Sequence, residues 1–80
     1  MTMATKRPKS TGYAVCVENR GYEASLEVRK LYPMLADAEA EADGFLRVVD
    51  ESGEDYQYPA RLFERVALSV EAVRVLRRAS

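Results

Sequence analysis

The chain has no histidine at all and a single cysteine, Cys16, among its 80 residues. Without histidine there is no imidazole to act as a general base near neutral pH, no Ser-His-Asp triad and no imidazole metal ligand. One cysteine cannot form an internal disulfide, and a small chain without a disulfide framework reads as cytoplasmic. Long apolar runs are missing too: the uninterrupted stretches are only a few residues long, far short of the roughly 20 that a membrane span requires. The opening Met1-Thr2-Met3-Ala4-Thr5 has no hydrophobic region behind it, so neither secretion nor membrane insertion is expected. The four glycines are dispersed rather than gathered into a phosphate-cradling loop, and no cofactor is expected.

What is present is enough for one small domain, with 48% hydrophobic and 31% charged residues. A domain of this length buries only roughly 60% of the surface its unfolded chain exposes. Its core therefore needs most of its large apolar side chains, and few remain to line a pocket. Cys16 lies inside the apolar run Tyr13-Ala14-Val15-Cys16-Val17, where a small hydrophobe is expected to be buried.

The net charge of −1 hides an uneven distribution. Residues 1–12 carry Lys6, Arg7 and Lys9, residues 13–60 hold four basic against eleven acidic side chains, and residues 61–80 hold five arginines against Glu64 and Glu71. An acidic body thus lies between two basic ends. Such a body suits a partner that presents Arg or Lys, and it would repel a phosphate backbone.

Local patterns divide the chain. Residues 1–12, polar and carrying Pro8, Ser10 and Gly12, read as a disordered basic arm. Residues 13–68 read as the folded domain and residues 69–80 as a C-terminal helix. Tyr13 to Val17 is β-rich, and Asn19-Arg20-Gly21 supplies a turn. Pro33 would end any helix before Tyr32, so a turn over 26–30 leads into an extended Leu31-Tyr32-Pro33-Met34-Leu35, where the proline marks an edge or a bulge. The acid and alanine residues from Asp37 to Gly44 favour one or two helical turns, ended by Gly44. Phe45-Leu46-Arg47-Val48-Val49-Asp50 and Asp55-Tyr56-Gln57-Tyr58 flank Glu51-Ser52-Gly53-Glu54, which predicts a hairpin. Pro59 to Phe63 reads as a turn or single 3₁₀ turn, and Glu64 to Leu68 as a last strand. Ser69 can cap a helix over 70–79, in which Val70, Val73 and Leu76 form an apolar stripe while Arg74, Arg77 and Arg78 lie off it or at its end. So short a helix is marginal alone, so the stripe is expected to dock on the domain or on a second chain.

Read from Ala14 to Val66, the chain resembles an SH3-like barrel of a short, stand-alone bacterial type. Leu26-Glu27-Val28-Arg29-Lys30 with Leu31-Tyr32-Pro33-Met34-Leu35 is similar to the SH3 Leu-Ser-Phe segment, its diverging turn and the following strand. Phe45-Leu46-Arg47-Val48-Val49 through Gly53 is similar to the tryptophan-led strand and distal hairpin, and Tyr58 through Val66 to the closing proline, 3₁₀ turn and final strand. The resemblance implies a mainly β fold: a five-stranded small barrel followed by the short C-terminal α-helix. It departs from the family at the peptide groove. Cys16 and Glu18 stand at first-strand aromatic positions, Phe45 or Leu46 at the tryptophan, and Arg61-Leu62 where Asn-Tyr would follow the proline; only Pro59 is kept. Without those rings the stacking that holds a proline-rich peptide is missing, so conventional proline-peptide binding is not expected.

Three other chemistries are weighed on the residues. From Glu39 to Asp50 acids fall at the first, third, fifth and twelfth places with Gly44 at the sixth, the spacing of a calcium loop. A strand-like Phe45 to Val49 and a short twelfth ligand argue instead for a solvated loop, and no metal is expected. The carboxylates Asp50, Glu51, Glu54 and Asp55 crowd a hairpin tip rather than a sugar-sized cleft, and Ser25 with Lys30 has nothing to bring the two together as a Ser–Lys pair. No enzyme activity is expected. The expected function is a non-enzymatic protein-interaction module whose contact surface gathers Tyr22, Phe45 and Tyr56 beside Asp50 and Glu51. The rival is a small RNA-associated barrel in which Lys6, Arg7 and Lys9 contact phosphates while Tyr22 or Tyr56 stacks on a base. The sequence leaves monomer and homodimer equally open.

Overall fold

The computed structural model describes residues 10–79. Five strands form one antiparallel sheet: β1 Ser10–Cys16, β2 Leu31–Leu35, β3 Phe45–Val49, β4 Asp55–Pro59 and β5 Phe63–Val66. A short helix, α1 (Ala38–Ala42), joins β2 to β3, a 3₁₀ turn (Ala60–Leu62) joins β4 to β5, and a second helix, α2 (Val70–Ala79), follows β5. The sheet order is β4-β3-β2-β1-β5, so β1 lies between β2 and the last strand.

The connections follow local chemistry. Asp37 caps α1 by accepting the Ala40 N–H at 3.1 Å, and the helix runs out at Gly44, whose φ of +86° suits a residue without Cβ. Gly53 has the same backbone need in the β3–β4 hairpin, with φ +85°. Ser69 Oγ accepts the Ala72 N–H at 3.1 Å and starts α2.

The core gathers Ala14 and Cys16 of β1, Leu26, Tyr32 and Met34, Leu46 and Val48 of β3, Tyr58, Leu62 and Phe63. In β3 the alternate residues Leu46 and Val48 point inward, as a half-buried strand requires. Tyr22, Tyr58, Phe63 and Tyr32 form a chain of edge-to-face rings with centroids 5.4, 6.3 and 6.3 Å apart. Cys16 is fully buried, its thiol donating to the Glu18 carbonyl, and burial pushes its pKa up.

Four sequence expectations are corrected. β1 starts at Ser10, so residues 10–12 belong to the sheet rather than to a disordered arm; Lys6, Arg7 and Lys9 lie outside the described residues. Pro33 sits in the middle strand of the sheet, opposite Tyr13, rather than at an edge. The ladder tolerates it because β2 pairs with β3 only beyond it, at Met34 and Leu35. The last strand is Phe63–Val66, earlier and shorter than the expected 64–68. Val70 is 70% exposed, off the half-buried Val73 and Leu76. Each three-residue step on a helix falls about 60° short of a full turn, so the three do not stay on one face. The mainly β fold expected is present as five strands joined in one unclosed sheet with β4 and β5 at its edges. Pro59, at the end of β4, has no N–H to give, and β5 pairs with β1.

Candidate functional site

The β3–β4 hairpin turn and the loop between β1 and β2 together shape an open groove of about 440 Å³, lined by Tyr22, Ser25, Asp50, Ser52, Tyr56, Gln57 and Tyr58. The loop is drawn tight by its own backbone. Tyr22 N–H donates to the Asn19 carbonyl at 2.7 Å, Ser25 and Leu26 N–H donate back to the Tyr22 carbonyl, and Asn19 Nδ2 reaches the Leu26 carbonyl at 2.9 Å. Tyr22 is thereby held edge-on against Tyr58. A further bond, from Glu51 N–H to the Ser25 carbonyl at 3.1 Å, ties loop to hairpin.

Asp50 organises the floor. Its Oδ1 accepts both the N–H and the hydroxyl of Ser52, at 2.8 and 2.6 Å, and its Oδ2 accepts the Tyr58 hydroxyl at 2.6 Å. Burial penalises the Asp50 charge, but the bonds from Ser52 and Tyr58 outweigh it and hold the carboxyl below its ordinary pKa. Burial first, then the hydrogen bond to Asp50, pushes the Tyr58 phenol up. Asp50 is only 7% exposed, so this carboxylate is an internal anchor rather than a surface contact. Tyr56, by contrast, is half exposed on the groove's side, and its hydroxyl donates to Glu54 Oε1 at 3.2 Å. The hydrogen bond to Glu54 is the main cause of its raised pKa.

The expected cluster is therefore brought together in part. Tyr22 and Tyr56 share the groove with Asp50. Phe45 does not join them: it pairs with Pro59 at the opposite end of the hairpin from the Val49–Asp55 pair beside the turn. Glu51 turns to a different depression, where it accepts the Tyr32 hydroxyl and pairs with Lys30 Nζ at 2.7 Å. Lys30 first and Tyr32 second hold its carboxyl below the usual range. Burial, then Glu51, pushes the Tyr32 phenol well above its ordinary value.

Ser52, Gln57 and Tyr58 were not among the expected site residues. The run Asp50-Glu51-Ser52-Gly53 carries the signal that could have found Ser52, because an Asp side chain two residues ahead of an N–H in a turn closes an Asx-type ring. Tyr58 has no such signal, since its meeting with Asp50 depends on the register of the hairpin.

The twelve-residue acidic pattern folds as α1 followed by strand β3, and among the described residues no group of three or more acidic or thiol side chains converges on a metal-sized point. Asp37 instead faces Arg47, with Oδ2 2.8 Å from Nε, and Asp55 completes the same pair at 3.1 Å. No buried polar side-chain atom among the described residues lacks a hydrogen-bond partner. No helix there is long and apolar enough to cross a membrane. Comparison with known proteins gives no matching family model, curated protein or solved structure.

Proposed function

We propose that the chain is a non-enzymatic protein-interaction module on an SH3-like small barrel, whose Tyr22–Tyr56 groove takes a segment bearing Arg or Lys. The sheet order is consistent with that fold: a meander of four strands, with the last strand returning to the first after a 3₁₀ turn. The observation that carries the functional reading is the groove itself. It sets the exposed Tyr56 ring and the Tyr22 ring over a floor locked by Asp50, Ser52 and Tyr58. Tyrosine faces attract a guanidinium or ammonium group, and a floor already ordered costs little entropy on binding. Residues 13–60, with eleven acidic against four basic side chains, supply a field of the right sign.

Calorimetric titration tests the reading with three probes: a short Gly-Arg repeat peptide, a proline-rich peptide without basic residues, and a single-stranded RNA oligonucleotide. The Arg peptide binds, and Tyr56→Ala weakens it roughly tenfold, about the 1.4 kcal/mol of one stacked cation. Binding of the RNA alone, lost when Lys6, Arg7 and Lys9 are replaced, would instead establish the nucleic-acid rival.

A further inference from the structure

Helix α2 carries Arg74, Arg77 and Arg78, which with Leu68, Val70 and Val73 border a shallow surface. At about 100° per residue the three arginines fall within one arc of the helix, with Val70 among them. Val70 is 70% and Val75 51% exposed, and none of the residues 70–78 is buried. Among the described residues Arg74 and Arg78 form no ion pair. No residue of α2 lines the Tyr22–Tyr56 groove of its own body.

We infer that α2 of one molecule docks through this arginine face on the Tyr22–Tyr56 groove of a second copy of the chain. The inference rests on the proposed function and names its partner. Charge complementarity selects the occupant: helix α2 carries Arg74, Arg77 and Arg78 against Glu71, while residues 13–60 carry four basic against eleven acidic side chains. Two copies can therefore set a basic helix against a groove whose exposed acid is Glu54, hydrogen-bonded to Tyr56, on a body of net negative charge, whereas a polyphosphate would meet the repulsion of that body. Docking would also cover Val70, and a ten-residue helix gains most of its stability from such packing. If both grooves are filled reciprocally, the assembly closes as a two-fold dimer.

Sedimentation analysis of the full chain over a wide concentration range, at about 50 mM and about 0.5 M salt, tests the inference. The expected result is reversible self-association that weakens about tenfold or more at the higher salt, since exposed charge pairs are screened. The triple variant R74E/R77E/R78E and the groove variant E54K/Y56A are each monomeric, with circular dichroism verifying that both remain folded. Mixed together they form a heterodimer, because one keeps its groove and the other its helix. A wild type that stays monomeric at every concentration overturns the inference, as does a dimer that survives the triple variant or ignores salt. The Gly-Arg peptide separates the two levels. Peptide binding by a strictly monomeric protein leaves the groove reading standing and removes only the self-docking; absence of both removes the two together.

Discussion

The sheet body and helix α2 are built on opposite principles. In the body, side chains from distant parts of the chain lock one another: Leu26, Val48 and Leu62 are almost wholly buried, and Asp50 binds both its own turn and Tyr58. Helix α2 has good local signals, a Ser69 cap and arginines in its last turn, yet contributes no residue to the core. Its Leu76 lines a depression together with Tyr13, Leu31, Pro33 and Val49. The body's order comes from tertiary packing, whereas the helix is capped but little packed, which makes it the part free to engage something else.

Truncation at matched positions breaks this comparison most sharply. Leu62→Ala empties a fully buried site and is expected to cost about 2–5 kcal/mol, a large share of the stability of a domain this small. Leu76→Ala removes a half-buried side chain and should cost about 1 kcal/mol or less. Urea unfolding of the two variants measures both; equal losses would mean that α2 is part of the core.

Next in size is the anchor of the groove. Asp50→Asn keeps the shape but weakens the charge-assisted bonds from Ser52 and Tyr58, an expected loss of about 1–3 kcal/mol by the same measurement.

The body should also respond to pH. Asp37, Asp50 and Glu51 are all held below their ordinary pKa values: Asp37 by the Ala40 N–H and Arg47, Asp50 by Ser52 and Tyr58 against the cost of burial, and Glu51 by Lys30 and Tyr32. A depressed carboxylate stabilises the fold above its unfolded pKa, and that contribution is lost as pH falls through the folded value. Thermal midpoints should therefore drop as the pH is taken below about 4. Tyr32 and Tyr58, raised chiefly by burial, act in the other direction. Their neutral phenols favour the fold below the unfolded pKa, so stability should decline again above about pH 10.

The smallest effect is expected at Arg29, the one non-glycine residue with positive φ (+78°) among the described residues. That backbone costs an L-residue about 1–2 kcal/mol, and the extra freedom of unfolded glycine returns part of it. Arg29→Gly should raise the urea midpoint by the equivalent of about 0.5 kcal/mol.

What the sequence revealed was whatever a few neighbouring residues decide. Gly53 between two β-rich runs marked the hairpin, Gly44 the end of α1, and Ser69 the start of α2. The tyrosines 22 and 56 were legible as a shared surface because aromatic side chains flank both loops. Pairings set by register were not legible. Whether Glu51 faces Tyr56 or Lys30 depends on which way the turn rotates its side chain, and no local pattern encodes that. Phe45 went astray for the same reason, since it sits at the opposite end of a strand whose other end forms the groove. The position of Pro33 needed knowledge of how far β3 pairs along β2.

The most direct test of the central claim is an amide-shift map of the isotopically labelled full chain titrated with the Gly-Arg peptide. The account predicts saturable shifts concentrated at Tyr22, Ser52, Tyr56 and Gln57, with the α2 amides changing only as any self-docked helix is displaced. Shifts confined to α2, or none anywhere up to millimolar peptide, would contradict it.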